Sequence, residues 1–401
     1  TTNNFLNIKL KGHDQNVNAI GAKVKVYTNQ GSQYQELFLS RGYQSSVSPT
    51  LNFGIGDETQ IKRIEVVWGD GKITVEENLE ANQVLTFHHK NAKASVPESK
   101  LAFSTNFERI NPEELGIGYR HRENDFNDFS KQVLLPQKQS QPGPAFEVAD
   151  INNDGLEDLF LGGALNQPAL VYIQKPNGEF ESVDQTIFEN DKMYEDAGAH
   201  FFDADNDNDL DLYVASGGYE LDEGNPLLQD RLYLNDGDGN FTKSNKLPNL
   251  ISNTKTIESF DYDADGDMDL FIGGNVAPNK YPLPSQSYVL ENTGSQFVDA
   301  TESVVPNLKN IGIINNFIFS DFDQDGDKDL MVVGEWMPIT VFANKSGIFT
   351  KTEVKDFEQT SGWWNTIAEI DFDQDGDLDL FVGNLGGNNK FHPSTEKPLH
   401  V

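Results

Sequence analysis

The chain has 401 residues and a formal net charge of −34, from 64 Asp and Glu against 30 Lys and Arg. So acidic a surface excludes nucleic acid and anionic membrane as the main partner. Apolar residues make up 37% with 27 Phe, enough for a sizeable core; there is no cysteine, so disulfides play no part, and no apolar run approaches the ~18 residues of a membrane span.

Residues 1–92 alternate apolar and polar over Leu6 to Leu10, Lys23 to Tyr27, Tyr34 to Leu39, Ile61 to Trp68, Lys72 to Val75 and Val84 to Phe87. Turn signals at Asn29-Gln-Gly31, Gly54-Ile-Gly56-Asp57 and Gly69-Asp-Gly71 separate these runs. The pattern predicts a small all-β domain, a sandwich or half-barrel. Asn18-Ala-Ile-Gly21-Ala22-Lys-Val, Ser40-Arg41-Gly42-Tyr43-Gln-Ser45, Leu51-Asn-Phe53-Gly54-Ile-Gly56 and Val66-Val-Trp68-Gly-Asp-Gly71-Lys72 follow in that order. Over about residues 5 to 90 this resembles the ASPIC/UnbV domain, a family that implies an architecture and no defined activity. Neither glycine pair matches a phosphate loop, and both are explained as hairpin turns. His88-His89 does not read as a metal pair, because adjacent strand residues point to opposite faces.

Asn91 to Lys100 is polar and reads as a linker. The irregular stretch that follows, to residue 142, carries Gly118-Tyr-Arg-His121-Arg-Glu123-Asn124-Asp125-Phe126. It resembles the entry segment before propeller repeats, and we expect it to supply one or two strands docked on the first blade.

From residue 143 the chain repeats. Asp371-Phe-Asp373-Gln-Asp375-Gly376-Asp377-Leu-Asp379 sets acids at alternate positions, then an apolar run. The other copies are Asp150, Asn152, Asp154, Leu156 and Asp158; Asp203, Asp205, Asp207, Asp209 and Asp211; Asp261, Asp263, Asp265, Asp267 and Asp269; and Asp321, Asp323, Asp325, Asp327 and Asp329. Carboxylates this close repel unless a cation sits among them. Oxygens from positions 1, 3, 5 and 9 with the main-chain carbonyl of position 7 suit Ca²⁺, so about five structural calcium ions are expected. Gly at position 6 allows the turn in four copies, and Asn208 replaces it in the second. Position 12 is apolar in every copy, which excludes an EF-hand. The unit is therefore strand, calcium loop, strand, followed by a third strand and a hairpin such as Asn235 to Phe241. Loop spacings of 53, 58, 60 and 50 residues indicate a β-propeller.

These units resemble FG-GAP (VCBS-type) repeats, the calcium-loop blades of integrin α-chain propellers. The pairing with an ASPIC/UnbV domain is similar to the cartilage acidic protein family and to large secreted proteins of the Bacteroidetes type. The resemblance implies about seven blades in a full ring. The expected organisation is all-β: an ASPIC/UnbV-like domain over 1–92, a linker and entry segment over 93–142, and propeller repeats over 143–401. Five loops, with the fifth unit ending after its second strand, predict an incomplete ring with an exposed apolar edge that self-associates. Further repeats of the same longer chain would complete it. The order of domains likewise suggests repeats upstream; Thr1 opens directly into Phe5 to Leu10, so a leader is expected to have been removed or the sequence to begin within a longer protein.

Calcium loops are first turns of blades and share one face. The long second turns carry Tyr219, Tyr281, Trp336 and Asn384, and the crossing before the fifth inner strand carries Trp363 and Trp364. Aromatic faces and amides at one mouth suit a glycan or a protein ligand, although the same aromatics also serve to pack blade on blade. Weak calcium loops belong where Ca²⁺ is plentiful, outside the cell or on its surface, or in a periplasmic or outer-membrane setting. The expectation is thus a calcium-stabilised binding or adhesion module and not an enzyme. The alternatives are a propeller-based polysaccharide-active enzyme, with acids hidden in Asp222-Glu223, Glu335 or His121-Glu123, and a structural spacer.

Overall fold

A computed structural model describes residues 3–13, 16–39, 47–93, 109–183, 185–386 and 397. The chain divides into two compact units, Thr1–Arg109 and Ile110–Val401. The stretch 40–46, which includes the Ser40 to Ser45 motif, and the segments 387–396 and 398–401 lie outside the described residues.

The first unit has seven strands: β1 (Asn4–Lys11), β2 (Lys23–Tyr27), β3 (Ser32–Glu36), β4 (Thr50–Gly56), β5 (Gln60–Val67), β6 (Ile73–Glu80) and β7 (Gln83–His88). They form two sheets, of order β4-β1-β7 and β3-β2-β5-β6. Alternation decides the faces: Leu6, Ile8 and Leu10 of β1 and Leu51, Phe53 and Ile55 of β4 point inward. They meet Val24, Val26, Ile64 and Val66 of the second sheet in one core, as in a sandwich. The turn expected at Gly54-Ile-Gly56-Asp57 is present: β4 ends at Gly56, whose φ is 60°, and Glu58 N donates to Ile55 O at 3.2 Å before β5 begins.

The second unit begins irregularly. Among residues 109–144 there is no strand, only 3-10 turns at Pro112–Leu115 and Asp128–Ser130. The predicted entry strands are therefore absent from this stretch. It is pinned by single hydrogen bonds instead: Tyr119 Oη donates to Gly162 O at 2.8 Å, and Gln132 Nε2 donates to Tyr281 O at 3.0 Å. The segment thus reaches past the first blade to the third.

Four-stranded antiparallel sheets follow. The first is β8 (Phe146–Ala149), β9 (Asp158–Leu161), β10 (Leu170–Gln174) and β11 (Phe180–Val183). After a short helix α1 (Thr186–Asp191) come β12 (Glu195–Phe202), β13 (Asp211–Gly217), β14 (Arg231–Leu234) and β15 (Thr242–Lys243). The third sheet is β16 (Thr254–Ser259), β17 (Leu270–Gly274), β18 (Tyr288–Asn292) and β19 (Phe297–Asp299), and α2 (Thr301–Val304) follows it. The fourth is β20 (Ile313–Ser320), β21 (Asp329–Met337), β22 (Thr340–Lys345) and β23 (Ile348–Thr352). The fifth unit shows β24 (Gly362–Ile370) and β25 (Asp379–Asn384). Each strand expected from the repeat is present, and the fold is all-β. Apolar clusters fill the space between successive sheets; one joins Phe271 and Val289 of the third to Phe317, Leu330 and Phe342 of the fourth.

The second turn expected at Gly334 to Pro338 is strand as far as Met337. β21 runs on and pairs with β24, Glu335 opposite Trp363, so main-chain hydrogen bonds join the fourth sheet to the fifth. Inner strands β12, β16, β20 and β24 each carry a bulge, at Ala197, Lys255, Asn315 and Asn365. Each lies six residues before the first Asp of its loop. A bulge sharpens the local twist and re-aims a side chain. In the fifth unit Phe381 is 47% exposed, whereas Tyr213, Phe271 and Met331 at the same position are covered.

Candidate functional sites

Each loop is built by its own carboxylates before any ion is considered. Position 1 accepts from the amide of position 6: Gly155 N to Asp150 Oδ2 at 2.8 Å, Asn208 N to Asp203 at 3.0 Å, Gly266 N to Asp261 at 3.1 Å and Gly326 N to Asp321 at 3.2 Å. Position 5 accepts from the amide of position 7, as Asp267 N to Asp265 Oδ1 at 2.9 Å and Asp377 N to Asp375 at 3.2 Å. The backbone is left-handed at position 6, with φ between 70° and 99°, and Asn208 at 70° follows the glycines. It is left-handed again at position 4: Asn153, Asn206, Ala264, Gln324 and Gln374 lie between 58° and 63°. This second reversal had no glycine to mark it in the sequence.

Position 9 is the buried anchor. Asp158, Asp211, Asp269 and Asp329 are covered almost completely. Oδ2 of each accepts from the amide of position 2, at 3.1 Å from Ile151, 2.9 Å from Ala204, 3.2 Å from Tyr262 and 3.0 Å from Phe322, and Asp379 does the same with Phe372 at 3.0 Å. Oδ1 faces the end of the third strand.

Four loops bring three carboxylates within 4.8 Å of one another: Asp203, Asp205 and Asp211; Asp261, Asp263 and Asp265; Asp321, Asp323 and Asp325; Asp371, Asp373 and Asp379. Asp207, Asp269, Asp329 and Asp375 stand outside these groups of three. Leu156, Asp209, Asp267, Asp327 and Asp377 occupy position 7. In the first loop Asn152 Nδ2 donates to Asp154 Oδ2 at 3.2 Å, so an amide stands where the others have an acid. Buried oxygens of Asp205, Asp261 and Asp371 have no hydrogen-bond partner. Burial first, then neighbouring carboxylates, pushes Asp211 and Asp269 up to about 7 and Asp209 to about 6. Groups so placed hold protons near neutral pH unless a cation takes the proton's part. The donors are all hard oxygen, which fits Ca²⁺ and not a thiophilic ion.

Three asparagines that sequence reasoning did not single out complete the loops. Asn235, Asn292 and Asn344 end the third strands and are buried. Their side-chain oxygens each accept from a hairpin glycine at 3.0 Å: Gly239, Gly294 and Gly347. Asn235 Nδ2 donates to Ile151 O of the preceding loop at 2.8 Å and to Leu210 O of its own at 3.1 Å. Asn292 Nδ2 donates in the same way to Ala204 O at 3.1 Å. The signal was available: an Asn three or so residues before a Gly and five residues before Phe297 and Phe349, six before Phe241.

On the opposite turns, four of the expected aromatic residues come together. Tyr219 is buried and its hydroxyl meets Gln132 of the entry segment. Tyr281 Oη donates to Glu335 Oε2 at 2.9 Å, and Trp336 Nε1 donates to Tyr281 Oη at 3.0 Å. Trp336 and Trp363 stand edge to face at 5.5 Å. Trp364 and Asn384 do not join them. Trp363 and Trp364 are consecutive in β24, not in a crossing loop, so they face opposite ways. Trp364 packs with Val333 and Val382 and donates to Thr360 O at 2.7 Å. Asn384 Oδ1 accepts from Gly386 N at 2.6 Å.

Beside this cluster, Glu195 is 6% exposed and is pushed up to about 8 by burial, then by Glu220 and Glu123. Both Glu220 oxygens are buried without partners, and Glu123 Oε1 meets His121 Nε2 at 3.0 Å. Of the other acids considered for chemistry, Glu223 pairs with Lys280 in the open, and Asp222 lies on the same turn.

Residues 12–94 match the family model described as ASPIC and UnbV. Residues 150–214, 220–272 and 321–382 match the model described as FG-GAP-like repeat. No protein of curated function matches this chain. A solved structure described as "Structure of Dos1 propeller" is similar over 77% of this chain and 69% of its own length, at 8% identity and a TM-score of 0.32. The two family matches make this an ASPIC/UnbV-domain protein whose second unit is a β-propeller module of FG-GAP-like repeats.

Proposed function

We propose that the second unit is a calcium-stabilised binding or adhesion module that works outside the cell or at its surface. The observation that carries this reading is the set of four loops with three converging carboxylates, three of them holding a buried oxygen with no partner. Ca²⁺ here is structural: it neutralises the loops and leaves the opposite face to meet a ligand. Trp336, Trp363 and Tyr281 are half-buried there, with Glu335 among them. Such a surface suits a glycan, by ring stacking, or an extended protein segment. No helix among the described residues is long and apolar enough to cross a membrane. Glycan and peptide arrays probed with and without Ca²⁺ test the reading. Binding that needs Ca²⁺ and is lost in Trp336→Ala supports it; a chain that binds nothing on either array, with its loops filled, removes it.

One observation favours the second reading, an enzyme acting on a polysaccharide. Glu195, whose carboxyl is pushed up to about 8 by burial and then by Glu220 and Glu123, is a buried acid of the kind that can serve as a general acid. Release of reducing ends from a polysaccharide panel, abolished in Glu195→Gln, would replace the binding module with this reading.

A further inference from the structure

The first unit contains a site that neither family match assigns. β1 and β7 are parallel neighbours, with Lys11 opposite His88. Both strands end there, so the residues just beyond them, His13 and His89, are set side by side. Their rings lie 5.0 Å apart, tilted by 56°. The turn after β5 brings up Asp70, whose Oδ2 sits 2.9 Å from His89 Nε2 and 2.8 Å from Lys72 Nζ. Trp68 meets the His89 ring edge to face at 5.3 Å and donates its own N–H to Thr74 at 2.9 Å. Together with Gly12 and Asn16 these residues line a cavity of about 300 Å³. Gly12 is required for the approach, since a Cβ there would lie 1.8 Å from Asn16 O.

We infer that His13 and His89 bind a borderline divalent ion such as Zn²⁺ or Cu²⁺, with Asp70 holding the His89 ring from its far nitrogen. The spacing fits. A metal–nitrogen bond of about 2.0–2.1 Å puts the ion roughly 3.2 Å from each ring centroid, and two rings at the tetrahedral angle then lie roughly 5.2 Å apart. A carboxylate on the other ring nitrogen is the arrangement that fixes tautomer and orientation in histidine-ligated metal sites. Imidazole selects these ions over Ca²⁺, which takes hard oxygen. The Asn16 side chain is committed to Ile20, through both its oxygen and its nitrogen at 2.9 Å. Among the described residues that line the cavity this leaves the remaining coordination positions to water or to a group brought from outside.

The test is a Cu²⁺ titration of the full chain with excess Ca²⁺ present, read by electron paramagnetic resonance, with Zn²⁺ as competitor. The expected result is one ion showing coupling to two imidazole nitrogens and displaced by Zn²⁺. His13→Ala and His89→Ala should each weaken binding at least tenfold, Asp70→Asn by roughly tenfold, and His88→Ala should leave it unchanged. Melting curves recorded without Cu²⁺ separate loss of the site from loss of the fold. Copper coordinated by oxygen alone, or an affinity unaltered in the His13→Ala, His89→Ala double variant, overturns the inference.

Discussion

The amide of Asn235 donates to Asp211 Oδ1 at 2.8 Å, and so ties the end of a third strand to the last acid of a loop. The relationship recurs without change of length at Gln174 and Asp158, Asn292 and Asp269, and Asn344 and Asp329. Position 9 thus ties loop to sheet, and Asn235 and Asn292 carry the joint on to the preceding blade.

Asn235→Ala should therefore cost about 1–3 kcal/mol. It strands Ile151 O and the amide of Gly239 in buried surroundings, and Leu210 O in a half-buried one. Urea unfolding monitored by fluorescence measures it. A loss below about 0.5 kcal/mol would mean that the blades are not joined through this side chain.

Calcium should raise the melting temperature. Binding to the folded chain alone adds roughly 2.7 kcal/mol per site at a hundredfold excess over Kd. EDTA should reverse the gain, and Asp373→Ala should remove one part of it. The first loop should be the weakest, since Asn152 lowers its charge. Asn208→Gly should change the second loop little, because Asn208 already holds φ at 70°. Calorimetric titration ranks the sites, and a melting curve that ignores EDTA would rule out calcium in the loops.

Glu195 gives a pH dependence of defined sign. Its value rises from an ordinary 4.5 to about 8, so the folded chain binds the proton more tightly than the unfolded chain does. Stability from this group is full below pH 4.5 and falls as pH rises toward 8. Glu195→Gln should flatten that slope and stabilise the protein at pH 8, by on the order of 3 kcal/mol. Parallel stability–pH curves for the two proteins would show that Glu195 titrates normally.

Ala264 holds φ at 62° with no polar side chain to support it, on an exposed loop. Left-handed backbone costs an L-residue roughly 1–2 kcal/mol, and asparagine tolerates it better. Asn153 and Asn206 stand at the same position elsewhere. Ala264→Asn should stabilise by about 0.5–1 kcal/mol in a thermal melt, and destabilisation would show that the loop relaxes in solution.

The repeat was legible in the sequence because its chemistry is local. Alternating acids, a glycine and an apolar exit such as Leu380-Phe381-Val382 fall within a dozen residues, and strand periodicity on either side needs no distant partner. The sandwich unit was legible for the same reason, down to the turn at Gly56 between β4 and β5. What lay beyond the sequence depends on residues far apart in the chain. The bulges at Ala197, Lys255, Asn315 and Asn365 arise from how inner strands pair, and no side chain announces them. Trp363 and Trp364 looked equivalent until a strand separated their faces. Gln132 meets Tyr281 across 149 residues, and His13 meets His89 only because two parallel strands end together. Local patterning specifies the strands and the acidic loops of this protein, whereas the aromatic cluster and the His13–His89 pair are made where parts distant in the chain are brought into contact.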